Sequence, residues 1–397
     1  MTTGKKLWQT GANLNKEVEA FTVGTDYILD ARLLPFDIQA SQAHVKMLVS
    51  IDILSQEEGD SLCKELDTIL TLLQKGEFEI TREQEDGHTA IEQYLVEKLG
   101  DVGKKIHTGR SRNDQALIMM RLFMRAELPK ITNRYEKLES MFRYVAEQNA
   151  GQIFPGYTHA QKAMPTTIDT WLLSFADALK DNSESINVLS NMLDQSPLGS
   201  ASGFGIRNFN NNRLLSAKEM GFNRVQENPM YCGLSRGYFE YRFLQTFSPS
   251  LLILLRFITD ILLFTMSEFQ YCSLPHSITT GSSIMPQKRN YDVLEIARGK
   301  IKQYFSLETQ LRDISAGLMS GYHRDLQLTK KPFLEAVDIL KELLSILSLV
   351  LENLQFNKEC IDASITPDLF ATEKVYELVL QGVPFRNAYR QVKKEIL

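Results

Sequence analysis

A short sequence, GSSIMPQKRN at residues 281–290, places a hydroxyl, two cations and an amide close together. Pro286 is incompatible with a helix interior, because proline lacks a backbone N–H, so we expect a mobile loop. An unassisted serine hydroxyl is a poor base, and Ser282 would need a cation such as Lys288 and loop N–H donors to stabilise its alkoxide. With Asn290 nearby, these side chains are typical of a loop that closes over an anion.

A second polar motif, HTGRSRNDQ, opens a long run without glycine. In it, Arg112, Ser111 and Asn113 could bring a guanidinium, a hydroxyl and an amide to one carboxylate. The alternative is a well-capped helix start with solvated arginines, in which Asn113 and Asp114 are the caps.

A third motif, FPGYTHAQKAMP, is expected to put Thr158, His159 and Gln161 at the mouth of a helix. A histidine near an acid is the usual proton-transfer device at neutral pH. The alternative is a capping or surface histidine. Glu295 could orient an imidazole, or it could form a capping box with Asp292.

Two further stretches carry candidate side chains. GYHRDLQLTK places Tyr322, Gln327 and Lys330 after a glycine, and EDGHTAIE contains His88. For His88, a local hydrogen bond and a role in a site are both open. No His, Cys, Asp or Glu cluster has metal-ligand spacing, so we expect no metal.

Composition narrows the class of protein. The chain has 397 residues and a net charge of -5, which disfavours a nucleic-acid partner. Its four separated cysteines indicate reduced thiols and a cytoplasmic protein. The amino terminus has no apolar run of the kind found in signal peptides. The most apolar stretch, LLILLRFITDILLFTM, carries Arg256 and Asp260 and is therefore expected to be a core helix, not a membrane span.

The spacing of the glycines predicts the elements that position these motifs. Four long gaps are rich in helix formers and lie between Gly109 and Gly151, Gly156 and Gly199, Gly237 and Gly281, and Gly321 and Gly382. We therefore expect an all-α protein built on a bundle of very long helices. Pro129 should kink or break the first run, and Pro249 and Pro275 should trim the third.

Three parts are expected along the chain. Residues 1–106 would form a small amino-terminal helical domain, and residues 107–355 a long-helix central bundle carrying the catalytic loops. Residues 356–397 would form a short carboxy-terminal helical segment, in which GVPFRNAYRQV reads as a turn followed by a helix.

Taken together, these motifs resemble those of the fumarase/aspartase superfamily, whose mark is a G-S-S-x-M-P-x-K-x-N loop. Within it, HTGRSRNDQ, FPGYTHAQ and GVPFRNAY are similar to the argininosuccinate lyases, and the match covers nearly the whole chain in order. The sequences EAFTVG, TTGSSIMP and SGYHRDLQ are similar to the form found in Bacteroidetes-like bacteria.

The resemblance implies that argininosuccinate is split into arginine and fumarate by β-elimination, the last step of arginine biosynthesis, without metal or cofactor. It implies a three-domain protomer and a homotetramer with a twenty-helix core, in which each active site is shared between three subunits. It also implies site residues in named roles. The catalytic group would be Ser282 as base, Lys288 and Asn290 holding the developing charge, and His159 with Glu295 on the acid side. The substrate would be bound by Ser111, Arg112, Asn113 and Thr158 at the fumarate portion and by Tyr322, Gln327 and Lys330 at the arginine portion, with Arg236, Gln161, His88 and Thr89 also contributing.

Some positions depart from the family pattern. Asp26 lies near the position of an expected substrate-contacting serine, Gly237 replaces an aspartate, and Tyr291 replaces a proline. The chain also stops soon after the VPFR motif, where relatives run on. These departures concern substrate preference and carboxy-terminal stability. The alternatives are another fumarate-releasing lyase, of the adenylosuccinate or aspartate type, and a non-catalytic structural relative. Competition by free arginine would distinguish an argininosuccinate lyase from the first of these alternatives.

Overall fold

The computed structural model describes residues 15–396, and over these residues it confirms the all-α class. The described strands are short: β1 Ile153–Thr158, β2 Gln161–Thr167, β3 Cys272–Ser273, β4 Thr280–Gly281, β5 Arg289–Asn290 and β6 Gln355–Phe356. The α-helices in this part of the chain are α1 Lys16–Val23, α2 Asp26–Ser50, α3 Gln56–Lys75, α4 Gly87–Leu99, α5 Asp101–Lys104, α6 Arg112–Gln148, α7 Ile168–Leu193, α8 Arg213–Glu219, α9 Pro229–Leu234, α10 Tyr238–Phe264, α11 Asp292–Ser315, α12 Lys330–Glu352, α13 Lys358–Ser364, α14 Ala371–Leu380 and α15 Phe385–Ile396.

The chain divides into two compact units. The described part of unit 1 comprises residues 15–129, 187–245 and 307–335, and unit 2 comprises residues 130–186, 246–306 and 336–396. The expected three-part division at residues 106 and 355 stays a prediction.

In unit 1, α2, α3 and α4 pack around one apolar core. Leu34, Leu62 and Leu95 lie in that core with almost no exposed surface. The amino end of α3 is fixed by a capping box between Ser55 and Glu58, in which each side chain accepts the other residue's backbone N–H. This core holds the start of α4, which carries the first candidate site residues.

A break at Pro129 and an end of α10 at Pro249 are both wrong predictions, whereas Pro275 does lie beyond the end of α10 at Phe264. α6 runs for 37 residues through Pro129, and α10 continues through Pro249. A proline inside a helix costs about 3 kcal/mol. In α10 this cost is offset by burial of neighbouring side chains such as Phe247 and Leu251, each stabilising by about 2 kcal/mol.

The glycine spacing missed α11, which contains Gly299. Leu294, Ala297, Ile301 and Tyr304 recur at helical spacing and are buried in unit 2. A glycine inside a helix costs only about 1 kcal/mol, which this apolar face outweighs. The helix that follows the lysine-containing loop is therefore long, and it begins at Asp292.

α10 is the one described helix that is long and apolar enough to cross a membrane, judged by length and composition alone. It also carries the ionisable residue Asp260, whose Oδ2 accepts the indole N–H of Trp171 at 3.1 Å. This polar contact inside unit 2 is typical of a core helix.

At the carboxy-terminal end of the described chain, α14 and α15 form a helical hairpin around Val375, Ala388 and Val392. The predicted helix after GVPF is α15.

Candidate functional site

A cavity of about 190 Å³ lies in unit 1. Its wall is formed by the starts of α2, α4 and α6, by Arg236, and by the segment from Tyr322 to Lys330. The structure brings seven of the predicted site residues to this wall: His88, Arg112, Asn113, Arg236, Tyr322, Gln327 and Lys330.

Arg112, in the first turn of α6, is held by the start of α4. Its guanidinium donates to Thr89 Oγ1 at 2.8 Å and lies 3.3 Å from the carboxylates of Glu85 and Asp86. Thr89 Oγ1 in turn donates to Asp86 Oδ1 at 2.7 Å. Thr89, predicted at the site, therefore acts on the orientation of Arg112.

The start of α6 is also capped, but by Ser111 and Asp114 instead of the expected Asn113 and Asp114, and Arg110 is buried instead of solvated. Ser111 Oγ accepts the backbone N–H of Asn113 at 3.3 Å, and Asp114 Oδ1 accepts that of Ser111 at 2.9 Å. The other carboxylate oxygen of Asp114 accepts the N–H groups of Gly199 and Ala201, both at 3.1 Å. Burial raises the pKa of Asp114, and these N–H donors oppose the rise.

His88 lines the cavity, and its hydrogen-bond partner is a residue distant in the sequence, Asp37, instead of a local one. Its Nδ1 lies 2.6 Å from Asp37 Oδ2, and both side chains are buried. Burial by itself would lower the pKa of His88, but the carboxylates of Asp37, Asp86 and Asp30 outweigh it and raise the pKa.

A buried ion cluster forms another part of the wall. Lys330 Nζ donates to Asp26 Oδ2 at 2.9 Å and to Asp30 Oδ1 at 2.5 Å, and Asp30 Oδ2 accepts the backbone N–H of Gly87 at 3.0 Å. Burial acts to lower the pKa of Lys330, but the two aspartates raise it, so the ammonium stays charged. Sequence reasoning missed Asp30, which tertiary packing brings to Lys330 although the two residues are 300 positions apart.

Gln327 binds the last two residues of α1. Its amide donates to the carbonyl oxygens of Thr22 at 3.1 Å and Val23 at 3.4 Å, and Arg324 also donates to Thr22 O at 3.0 Å. These contacts hold the segment that leads into Asp26.

Arg236 stacks its guanidinium over the ring of Tyr322, at 5.0 Å from the ring centroid. The Arg236 side chain is buried, with 9% of its surface exposed. Gly237, where the family pattern has aspartate, has a φ of 80°. A Cβ there would collide with the Ser315 side chain, so the local backbone favours glycine.

Thr158, His159 and Gln161 lie in unit 2 on a β-hairpin, so their expected place at a helix mouth was wrong. Thr158 pairs with Gln161, and the two turn residues His159 and Ala160 have φ of 55° and 58°. Two positive φ values match a two-residue hairpin turn. The turn residues are His-Ala and not the usual Asn-Gly, so the sequence did not predict a hairpin here.

The loop at residues 282–288 is framed by the pairing of β4 with β5. Ser282 Oγ accepts the backbone N–H groups of Ile284 at 3.3 Å and Met285 at 3.1 Å. Arg289 donates to Leu274 O and so anchors the loop.

Lys288, Asn290 and Glu295 follow on the same part of unit 2, with Glu295 exposed in the first turn of α11. Within the described residues, no hydrogen bond or ion pair joins His159 to Glu295. That pairing stays a prediction.

Residues 15–396 contain no group of three or more His, Cys, Asp or Glu side chains arranged to hold a metal ion. The cysteines at positions 63, 232, 272 and 360 are all free. Burial raises the pKa of Cys272 to about 12, so this thiol stays protonated at neutral pH.

Comparison with known proteins assigns the chain first to a class and then to a family. A family described as Lyase matches residues 16–305. The fold resembles an EDDS lyase crystallised with formate, with a TM-score of 0.82, 22% identity and coverage of 97% of this chain and 76% of that one. This likeness shows that the chain has the fold of that lyase.

Sequence similarity is more specific. An argininosuccinate lyase of Thermotoga neapolitana is 44% identical over 392 residues, or 98% of each chain. One from Bacteroides thetaiotaomicron is 37% identical over 99% of this chain and 88% of the relative, which fits the resemblance to the Bacteroidetes form. The chain belongs to the argininosuccinate lyase family.

Proposed function

We propose that the chain cleaves argininosuccinate to arginine and fumarate, as the last step of arginine biosynthesis. The observation that carries this proposal is the 44% identity to the Thermotoga neapolitana argininosuccinate lyase over 98% of both chains. Other fumarate-releasing activities and a non-catalytic role are not favoured by these relatives.

The reaction is a β-elimination. A base removes a proton from the carbon beside a carboxylate, and the electron pair is held as a doubly charged aci-carboxylate. This pair then forms the C=C bond of fumarate while the C–N bond breaks, and the departing guanidino nitrogen takes a proton. The site must therefore bind two carboxylates, stabilise added charge on one, and protonate the leaving group.

Ser282 is the proposed base. The two backbone N–H groups that approach its Oγ, from Ile284 and Met285, would favour the alkoxide over the neutral hydroxyl. Lys288 and Asn290 would stabilise the charge that develops on the substrate carboxylate. Removing one such donor typically costs about 3 kcal/mol of transition-state stabilisation.

His159 is proposed on the acid side, oriented by Glu295. A histidine on the tip of a hairpin is accessible to a leaving group, and imidazole is the usual proton-transfer group at neutral pH.

The remaining residues would bind the two ends of the substrate. Ser111, Arg112, Asn113 and Thr158, with Gln161, would hold the fumarate portion. Tyr322, Gln327 and Lys330 would hold the arginine portion in a pocket to which Arg236, His88 and Thr89 contribute. The lining of the unit 1 cavity supports this proposal. It contains cationic side chains, which can bind the carboxylates of the substrate, and carboxylate side chains, which can bind its cationic groups.

We also propose a cytoplasmic homotetramer with each active site shared between three subunits. Exposed apolar side chains on the long helices support self-association: Leu252 on α10, Ile296 on α11 and Leu349 on α12 are 52%, 62% and 42% exposed. The free cysteines are consistent with a reducing compartment.

The direct test is the ultraviolet absorbance of fumarate formed when the purified chain is mixed with argininosuccinate. A rise that free arginine suppresses is the expected result. A flat trace from folded, tetrameric protein would contradict the proposed function, and adenylosuccinate and aspartate would then be tested in the same assay.

A further inference from the structure

The loop at residues 282–288 stands on a very short ribbon in unit 2. β4 and β5 form two residue pairs, of which Gly281 with Arg289 is the one next to the loop. A two-stranded ribbon is at best marginally stable in water by itself. The places of Ser282 and Lys288, at the two ends of the loop, therefore depend on contacts that the ribbon makes with the rest of unit 2.

Arg289 makes such a contact. Its guanidinium donates to the backbone carbonyl of Leu274 and, at 3.2 Å, to Thr279 Oγ1. Thr279 directly precedes β4, whereas Arg289 belongs to β5, so this one side chain ties both strands together at the base of the loop. Hydrogen bonds from a guanidinium are roughly twice as strong as those between neutral groups.

Leu274 is a fixed point for this contact. Its side chain is buried, with 1% of its surface exposed. It directly follows β3, whose residues Cys272 and Ser273 pair with Phe356 and Gln355 of β6. The Leu274 carbonyl is therefore held by packing and strand pairing that do not involve the loop, and a hydrogen bond to it positions β5.

Tyr291, where the family pattern has proline, approaches the same backbone. Burial raises the pKa of the Tyr291 phenol, and the Arg289 guanidinium and a hydrogen bond from the Leu274 backbone N–H oppose that rise. Arg289 thus binds the carbonyl of Leu274 and Tyr291 its N–H. Successive side chains of a strand point to opposite faces, so Asn290 is directed away from the face that carries Arg289.

We propose that Arg289 and Tyr291 are positioning residues for the elimination, and this rests on the proposed function. Together they clamp β5 to the backbone of Leu274. The clamp holds Lys288 and Asn290, on either side of Arg289, where negative charge develops on the substrate carboxylate. Neither clamp residue touches the reacting atoms. The departure from the family pattern at position 291 then has a function, because proline has no hydroxyl to accept the Leu274 N–H.

The experiment measures kcat and KM for argininosuccinate on the full chain, together with amide hydrogen exchange of residues 282–288. Arg289→Met removes the donors at similar side-chain length, Arg289→Lys keeps a charged donor, and Tyr291→Phe removes only the hydroxyl. Arg390→Met and Tyr389→Phe, at exposed positions of α15, are the matched controls. Urea denaturation of each variant reports on overall stability.

The expected result is a loss of kcat without a loss of substrate binding. Arg289→Met should lower kcat by about ten- to a hundredfold, because a small misplacement of the groups around the substrate slows the reaction. KM should change by less than about threefold, since the proposed contacts of the substrate with unit 1 are untouched. Arg289→Lys should recover most of the loss, and Tyr291→Phe should lower kcat by a smaller factor than Arg289→Met.

Two further readouts separate positioning from general structure. Amide exchange of residues 282–288 should become faster in Arg289→Met and Tyr291→Phe, while the midpoint of urea denaturation stays at the wild-type value. The double variant should lose less than the product of the two single losses in kcat, because both substitutions release the same peptide group. The controls on α15 should leave every readout unchanged.

Three outcomes would overturn the clamp. They are a near-normal kcat with unchanged amide exchange in Arg289→Met, an equal loss of kcat in Arg289→Lys, and a lowered urea midpoint that accompanies the loss of kcat. The proposed function fails separately, by absence of fumarate when the wild-type chain is mixed with argininosuccinate. Amide exchange then still decides whether Arg289 and Tyr291 hold the loop, and unchanged exchange in both variants would show that they do not.

Discussion

His88 Nδ1 lies 2.6 Å from Asp37 Oδ2, and this buried pair joins the start of α4 to the middle of α2 beside the cavity. Arg110 approaches the other oxygen of Asp37 at 3.6 Å and donates to Ser41 Oγ at 2.9 Å. Two cations thus flank one carboxylate, so the packing of α2 against α4 depends on the charge of His88.

This pair predicts a pH dependence of stability. The pKa of His88 is raised in the folded state, so the stabilisation from its charge is fully present below the ordinary histidine pKa of about 6.5. It is lost as pH rises through the higher folded value. The free energy of unfolding should therefore fall above neutral pH.

The measurement is urea denaturation at fixed protein concentration over a series of pH values. His88→Gln keeps a hydrogen-bond donor but no titrating charge, so it should flatten this part of the profile. His276→Gln, at an exposed histidine, is the control and should keep the wild-type slope. If the free energy of unfolding of His88→Gln still falls with pH as steeply as that of the wild type, the His88–Asp37 pair is not the cause of the pH dependence.

Substitution of Gly237 should lower the free energy of unfolding by more than backbone strain alone would. Gly237→Ala would place a Cβ at a φ of 80° and against the Ser315 side chain. Gly221→Ala is the matched control, because Gly221 has a φ of 73° and nothing within 4 Å of its Cβ position. Both should lose about 1 kcal/mol to strain, and Gly237→Ala should lose about 1–3 kcal/mol more through overpacking.

Ser315→Ala in the Gly237→Ala background separates the two causes. Removing the hydroxyl should recover most of the excess loss, measured by denaturant unfolding. If the double variant is as unstable as Gly237→Ala alone, the collision with Ser315 is not the cause.

The long helices were largely predictable because glycine and proline act locally. The first glycine-free gap holds α6 and the third holds α10. The incorrect helix predictions also have local causes. Helices were predicted from gaps between glycines, so Gly299 caused α11 to be missed, although the apolar residues of its buried face recur at helical spacing in the sequence.

The site was predictable only in part. Motif resemblance pointed to Gln327 and Lys330, but not to the partners Thr22 and Asp30 that their side chains bind, because these lie 305 and 300 positions away. The bond from Lys330 to Asp30 depends on tertiary packing between distant segments. The hairpin turn at His159 was missed because its residues lack the usual turn signal.

Ser282→Ala should abolish fumarate formation while leaving binding of arginine intact. Loss of a general base typically lowers kcat by about a hundred- to ten-thousandfold. The proposed base is Ser282, whose Oγ accepts two backbone N–H groups, and not the neighbouring Ser283. Ser283→Ala is therefore the control, and it should keep most of its turnover. Substantial kcat in Ser282→Ala would remove Ser282 as the base.

His159→Asn tests the acid side of the elimination. If His159 transfers a proton to the leaving guanidino nitrogen, kcat should fall by about a hundred- to ten-thousandfold, with little change in the dissociation constant of arginine. Asparagine also tolerates positive φ, so the hairpin turn at φ of 55° should survive the substitution. His276→Asn, at an exposed position in the same unit, is the control. A near-normal rate for His159→Asn would assign His159 to the surface of the hairpin and leave proton donation to another group.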